Sequence, residues 1–339
     1  QILAFTFTQK AALEMIQRIE KEIIAIDKTH PLFKHRTTLL QQLPTANIST
    51  IHGFCHKILK LYPAQAQLDP EFTLLEPQES TDLQLESVQR TLTQYQANES
   101  KSLKSYIKTF SIKLLKTDLM TCFNQLELIK NWLDIYNTHS LSDCITKTNL
   151  ATLFPDSLDS LDTISEHKTT QNAYTYLTHL LDIFSTCVST YNTLKTTSGK
   201  IDYNDLITKT KEMLQDPSVR TPLQQTLKYI MVDEVQDIDP DQWDIIQSLS
   251  TPISKSKSGL GPNLFLVGDI KQSIYSFRGA DAHIFSTILE TFKQNPLTHS
   301  IIELSDNFRS QKPILDFINP FFTTIFQAHD ITIPTQTLD

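Results

Sequence analysis

Glycine is scarce in this 339-residue chain, which contains only six. They are Gly53, Gly199, Gly259, Gly261, Gly268 and Gly279. No two of them have the spacing that the phosphate-binding pattern G-x-x-x-x-G-K-[ST] requires. The Gly199-Lys200 pair comes nearest, but Leu194 stands at the first glycine position and Ile201 follows the lysine. The chain therefore contains no P-loop, the backbone cradle that binds nucleotide phosphates.

The chain also lacks C-x-x-C pairs, long apolar runs and an excess of positive charge. The four cysteines are scattered and include no C-x-x-C pair, which argues against a zinc ribbon or a disulfide framework. No apolar run reaches the roughly 18 residues of a membrane span, so no membrane contact is expected. The 30 basic and 38 acidic residues give a net charge of −8, which argues against DNA binding by a broadly basic surface.

The most informative segment present is an apolar run, residues 229–232, that ends in Asp233-Glu234. The run predicts a short buried strand. Open α/β sheets bind ligands at the carboxyl ends of their strands. In nucleotide hydrolases an aspartate at this place holds Mg²⁺, and a neighbouring carboxylate orients the attacking water. The pair therefore indicates an NTP-driven enzyme, although an ordinary helix cap is the simpler alternative.

A second strand-like run, residues 263–267, is followed by Gly268, which we expect to permit a tight exit from the strand. Polar, aromatic and basic side chains come next, namely Asp269, Lys271, Gln272, Tyr275, Phe277 and Arg278. Aromatic rings and arginine are the groups that stack on unpaired bases. The segment thus predicts a single-strand contact, and the alternative is that Tyr275 and Phe277 are core residues.

Five segments resemble, in order, the motifs of UvrD/Rep-type superfamily 1 DNA helicases. They are residues 2–15, 49–55, 233–243, 268–281 and 304–310. The Asp239-Pro240-x-Gln242-Trp243 run and the Phe277-Arg278-Gly279-Ala280-Asp281 run look closest to AddA and RecB, and Trp243 favours AddA. Two positions depart from the pattern, because Val235 stands where an aromatic residue is usual and Ile270 where proline is usual.

The resemblance implies roles for individual residues. It makes Asp233 the ligand of Mg²⁺, Glu234 the residue that activates water, Gln272 a sensor of the γ-phosphate, and Arg309 an arginine finger. The nucleotide would be held by Asp233, Gln272 and Arg309. It assigns DNA contacts to Thr6, Thr8, Thr50, His52, Tyr275, Phe277 and Arg278. For Thr6 and Thr50 the alternative is an ordinary strand threonine, and for Arg278 it is an ion pair with Asp281.

The resemblance also implies the fold, an α/β RecA-like P-loop NTPase motor domain with a partial parallel sheet and a large helical insertion. Residues 1–63 and 200–300 would form the two parts of motor domain 1A. Residues 64–199 would form the helical 1B insertion, and 301–339 the start of motor domain 2A. Local patterns agree, since Thr8 predicts a helix cap. Residues 202–206 resemble the segment with which the family re-enters the motor domain, and the alternative is that Asp202 begins a helix as its cap. Buried positions recur through Tyr174, Leu177, Leu181, Phe184, Val188 and Tyr191.

In the family the P-loop precedes the first DNA-contact motif, and a second motor domain and a nuclease follow. We therefore expect the chain to be a fragment that does not turn over ATP alone. The resemblance implies a cytoplasmic, ATP- and Mg²⁺-dependent 3′→5′ helicase. Its substrates would be single-stranded DNA and duplex DNA ends in double-strand break repair and recombination. An AddB-like subunit would be its partner.

Two alternatives remain open. The first is a non-catalytic remnant that binds DNA or a partner without nucleotide dependence. The second is a carboxylate-metal nuclease built from Asp233, Glu234, Asp237 and Asp269, which would leave Gln272 and Arg309 unexplained.

Overall fold

The computed structural model describes residues 2–126, 129, 167–250, 263–296, 299–304, 307 and 309–328. Their contacts divide the chain into two compact units, Gln1–Phe285 and Ser286–Asp339. The finer division into four segments stays a prediction. The proline, glycine, serine and lysine residues between Thr251 and Asn263 predict a surface loop, of which only Asn263 is among the described residues.

A four-stranded parallel sheet stands at the centre of the first unit. Its strands are β1 (Ile2–Phe5), β2 (Asn47–Ser49), β5 (Tyr229–Val232) and β6 (Asn263–Leu266), in the spatial order β2-β1-β5-β6. Phe5 pairs with Ser49 and with Val232, and Val232 pairs with Leu266. The last residues of all four strands therefore form one row across the sheet. This parallel sheet confirms the predicted α/β class.

Helices connect these strands and cover the sheet. They are α1 (Gln9–Ala25), α2 (Arg36–Gln42), α3 (Ile51–Leu61), α8 (Tyr203–Met213), α9 (Pro217–Thr226) and α10 (Pro240–Leu249). A further helix, α11 (Ala282–Gln294), follows β6 and continues into the second unit. Side chains cap several of them: the hydroxyl of Thr8 accepts from Ala11 N at 3.1 Å and starts α1, as predicted. The ring of Phe54, from α3, packs edge-on against Phe5 at 5.3 Å.

A separate helical core lies between β2 and β5 in the chain. It contains α4 (Pro77–Ala97), α5 (Lys101–Thr109), α6 (Ile112–Asn124) and α7 (His167–Thr197). The predicted stripe on α7 is confirmed where it is described: Leu181, Phe184 and Tyr191 are buried, and Val188 packs against them. The side chains of Tyr174 and Leu177 lie outside the described residues.

The helical core joins the sheet-containing part through a two-stranded parallel ladder, β3 (Thr73–Leu74) with β4 (Lys200–Ile201). Beside it, Lys195 is only 5% exposed. Its ammonium donates to Asp202 Oδ2 at 2.7 Å and to Asp205 Oδ2 at 2.6 Å. Asp202 also caps α8 by accepting from Asp205 N at 2.9 Å, as its alternative interpretation predicts. One buried cation thus ties the end of α7 to the start of α8.

The second unit includes residues 286–294 of α11 and the whole of α12 (Lys312–Ala328). Before α12, Asn307 Oδ1 accepts from the backbone N–H groups of Arg309 and Ser310, both at 2.9 Å. In the part of the chain that the structure describes, no helix has the length and apolar character needed to cross a bilayer.

The helical core predicts a contrast between two leucines of α6. Leu119 is fully buried, whereas Leu114 is 41% exposed. We expect Leu119→Ala to lower the free energy of unfolding by about 2–5 kcal/mol, because it leaves a cavity. Leu114→Ala should cost less than about 1 kcal/mol. Guanidinium unfolding followed by circular dichroism measures both, and equal midpoint shifts would contradict this description of the core.

Candidate functional site

The row of strand ends gathers most of the predicted functional residues of the first unit at one edge of the sheet. Thr6 follows β1, Thr50 follows β2, and Asp233 follows β5. The backbone ladder continues past the strands, with Thr6 N donating to Ser49 O at 3.1 Å and Asp233 N to Phe5 O at 3.0 Å. Parallel strands bind ligands at this edge.

The Asp233-Glu234 pair forms a strained turn at the end of β5. Glu234 has a left-handed backbone, with φ 52° and ψ 48°. This conformation costs a residue other than glycine about 1–2 kcal/mol. Glu234 N donates to Asp233 Oδ1 at 3.1 Å, and the next residue is anchored because Val235 N donates to Val267 O at 3.0 Å. The strain therefore lies at a residue predicted to be catalytic, where such strain is often concentrated.

Negative charge accumulates at this turn. Burial raises the pKa of Asp233, and the charge of Glu234 raises it further. Burial also raises the pKa of Asp237, with Glu234 again contributing. Asp237 Oδ1 is buried and has no hydrogen-bond partner in the described part of the chain. A divalent cation would relieve this crowding of carboxylates.

The donor set fits Mg²⁺, which commonly takes one or two carboxylates together with phosphate oxygens and water. Asp233 offers such a carboxylate. By contrast, no group of three or more His, Cys, Asp or Glu side chains among the described residues is arranged to hold a metal on its own. The nuclease alternative, which needs Asp233, Glu234, Asp237 and Asp269 as such a cluster, thus gains no support.

Gln236, which sequence reasoning missed, lies at the centre of the site and is 1% exposed. Its Nε2 donates to Glu234 Oε2 at 2.7 Å, and its Oε1 accepts from Asp269 N at 3.0 Å. Its backbone carbonyl accepts from Ser273 Oγ at 3.3 Å. The only signal in the sequence was the residue type, because Gln236 is the one amide in a segment, residues 233–239, that otherwise consists of acidic and apolar residues.

Gly268 is required here for space and not for an unusual backbone. It is absent from the residues with positive φ, so the expected tight exit from β6 is not the reason for glycine. A Cβ at this position would lie 2.7 Å from Gln236 Oε1 and 3.3 Å from Val235 N. Glycine therefore lets the strand end approach the Gln236 side chain.

Gln272, the predicted γ-phosphate sensor, is exposed at the same edge. It ends a short turn, Ile270–Gln272, that Asp269 organises. Asp269 Oδ1 accepts from Lys271 N at 3.0 Å, and Asp269 Oδ2 accepts from Gln272 Nε2 at 3.1 Å. The amide of Gln272 is thus oriented by the residue whose backbone N–H binds Gln236.

An aromatic platform, which we define as Phe7, Tyr275, Phe277 and Arg278, is formed by residues that follow β1 and β6 in the chain. Phe7 stacks on Tyr275 with ring centroids 4.9 Å apart. The guanidinium of Arg278 lies 5.3 Å from the Tyr275 centroid and 5.5 Å from that of Phe277. Phe277 is 69% exposed, so its alternative interpretation as a core residue is wrong. Phe7 was missed, although it follows β1 within a motif.

The remaining predicted DNA contacts have partners inside the chain. Thr6 is 4% exposed, and its hydroxyl donates to Thr8 O at 3.0 Å. Thr50 caps α3 by accepting from Gly53 N at 3.2 Å. His52 packs edge-on against Tyr203 at 5.9 Å. Burial lowers its pKa, and Asp239 opposes that shift. The DNA roles of Thr6, Thr8, Thr50 and His52 stay predictions.

Arg309 belongs to the second unit, where its side chain is exposed. Its backbone N–H donates to Asn307 Oδ1, as described above, in the turn before α12. Its assignment as an arginine finger therefore stays a prediction.

Comparison with known proteins adds independent support for the family. Residues 1–293 match the family described as UvrD/REP helicase N-terminal domain. An ATP-dependent helicase/nuclease subunit from Natranaerobius thermophilus is 25% identical over an alignment of 442 residues, covering 96% of this chain and 34% of the relative. The protein of the same name from Pediococcus pentosaceus is 26% identical, with 97% and 35% covered. A third, from Streptococcus pneumoniae, is 37% identical over 136 residues, which are 40% of this chain and 10% of the relative.

The chain spans about a third of the length of the first two relatives. The family match nevertheless covers most of the chain, including four of its five motifs in full, and it agrees with the parallel sheet and the acidic strand end described above. The chain is homologous, at low identity, to the AddA component of ATP-dependent helicase/nucleases, and it belongs to the UvrD/Rep family of DNA helicases, whose N-terminal domain is a RecA-like motor.

Proposed function

We propose that this chain is the N-terminal motor part of an ATP-dependent helicase that moves 3′→5′ along single-stranded DNA. The observation that carries the proposal is the shared edge of the sheet. There Gln236 bonds both to the carboxylate of Glu234 and to Asp269 and Ser273, in the segment that leads into the aromatic platform. A motor needs ATP hydrolysis to be coupled to its contact with DNA.

Four residues have roles in the proposed hydrolysis. Asp233 is the ligand of Mg²⁺, which neutralises charge on the phosphates when it is bound. Glu234 accepts a proton from the attacking water through its carboxylate. Gln272 senses the γ-phosphate, and Arg309 stabilises charge on it. The chain has no P-loop, so the cradle for the remaining phosphates is not among its own residues.

The proposed DNA grip is local and based on stacking. The chain has a net charge of −8, which disfavours a broadly electrostatic grip on duplex DNA. Exposed rings beside an arginine instead suit unpaired bases, which stack on aromatic side chains irrespective of sequence. The aromatic platform is therefore the proposed contact with single-stranded DNA.

The names of the relatives motivate a wider proposal. As a relative of ATP-dependent helicase/nucleases, the protein would act at duplex DNA ends in double-strand break repair and recombination. It would work in the cytoplasm with an AddB-like partner. The non-catalytic remnant is the alternative that a measurement of turnover distinguishes. It differs by binding DNA without any ATP hydrolysis.

The role of Glu234 predicts a separation of ATP binding from hydrolysis. In the full-length protein, we expect Glu234→Gln to lower the ATPase rate on single-stranded DNA by about 10²–10⁴-fold, because the amide cannot accept a proton. ATP affinity, measured with a fluorescent ATP analogue, should stay within about twofold. Glu212→Gln, at an exposed position of α8, is the control. Near-normal turnover by Glu234→Gln would reject the role, and no turnover by the unmodified protein would favour the remnant.

The aromatic platform predicts a loss of DNA affinity without a loss of fold. We expect Phe277→Ala to weaken oligo(dT) binding by about 5- to 150-fold, as the removal of one stacked base contact does. Leu61→Ala is the matched control, because Leu61 is similarly exposed (63% against 69% for Phe277) and lies at the far end of α3. Fluorescence anisotropy measures both, and equal affinities would show that Phe277 does not bind DNA.

A further inference from the structure

We propose that Gln236 is a positioning residue that transmits the state of the aromatic platform to the carboxylate of Glu234. The inference rests on the proposed function and adds a named link between its two halves. In this assignment Gln236 contacts neither the nucleotide nor the DNA. It acts by fixing where Glu234 points.

On the hydrolysis side, the link is a short hydrogen bond to a charged group. Gln236 Nε2 donates to Glu234 Oε2 at 2.7 Å and, more weakly, to Asp237 Oδ2 at 3.4 Å. Bonds to a carboxylate are stronger than bonds between neutral groups. Because the backbone of Glu234 is already held in a left-handed conformation, this bond is a main determinant of its side-chain direction.

On the DNA side, Gln236 holds the start of the segment that bears the platform. Its Oε1 accepts from Asp269 N at 3.0 Å, and its carbonyl accepts from Ser273 Oγ at 3.3 Å. Tyr275 follows two residues after Ser273. Gly268 leaves no spare room, since a Cβ there would meet Oε1 at 2.7 Å. A shift of this segment when bases stack must therefore move the Gln236 side chain or break its bonds.

The chemistry of an amide explains why glutamine suits this position. One end of the side chain donates to an acid and the other accepts from a backbone N–H, which neither a carboxylate nor a cation can do in its charged form. At 1% exposure, water cannot readily replace either bond. Substitution of a residue that couples two sites changes the effect of one site on the rate or affinity at the other by about 2- to 30-fold.

Hydrogen exchange tests the link without any nucleotide. In the unmodified chain, saturating oligo(dT) should change exchange in peptides from residues 268–279 and from residues 229–238. In Gln236→Met, which keeps the volume and the backbone carbonyl but loses the side-chain bonds to Glu234 and Asp269, only the first peptides should respond, with oligo(dT) affinity within about threefold. Gln247→Met, at an exposed position of α10, is the control and should behave as the unmodified chain. A response of both regions in Gln236→Met would overturn the inference.

Hydrolysis in the full-length protein provides the second readout, the ratio of ATPase kcat with and without single-stranded DNA. We expect Gln236→Met and Gly268→Ala each to lower this ratio by about 2- to 30-fold, with the KM for ATP little changed. Gly268→Ala disturbs the same Gln236 side chain from the β6 side, because its Cβ would lie 2.7 Å from Oε1. If one variant fails to fold, the other still tests the link. An unchanged ratio in both variants rejects the link and leaves the proposed function standing. An unmodified protein that is neither stimulated by DNA nor binds it rejects the proposed function and the link with it.

Discussion

The parallel register of four short strands is the constraint on which the rest of the structure depends. Because Ser49, Phe5, Val232 and Leu266 end their strands in one row, everything that follows them reaches the same edge. A shift of β5 by one residue would turn the buried Ile230 and Val232 outward. It would also move Asp233 out of the row. Burial of apolar side chains on these strands therefore fixes the position of the polar groups that follow.

The same register forces acidic groups into a crowded edge, which the protein tolerates at a cost. Burial and the charge of Glu234 raise the pKa of Asp233, so ionising this carboxyl costs more free energy than it does in water. Glu234 adds backbone strain. Stability alone would select against both features, whereas the proposed binding of a divalent cation and activation of water would account for them. Such local conflict is typical of functional sites.

Local sequence patterns predicted the strands and helix caps, whereas the partners of individual side chains depend on contacts between residues distant in sequence. The strand over residues 229–232 and the caps Thr8 and Asp202 were predictable because each depends on neighbours in sequence. Gln236 was not, since its partner Asp269 lies 33 positions away. Phe7 was missed for the same reason, because its exposure and its stacking on Tyr275 depend on two distant strands. The tight space at Gly268 likewise appears only when β5 and β6 are side by side.

The helical core interrupts the chain between β2 and β5 without disturbing the sheet, and the ladder of β3 with β4 explains how. Thr73 N donates to Gly199 O at 3.1 Å, and Leu75 N to Ile201 O at 2.8 Å, so the chain leaves and returns side by side. The buried Lys195, bound to Asp202 and Asp205, then fixes where α8 begins. Removing Lys195 would leave two partly buried carboxylates without their cation, which costs more than the ion pairs themselves contribute. The triad therefore fixes how the two parts join, and α8, which packs against α3 and α10, carries that geometry to the helices that follow β2 and the acidic turn.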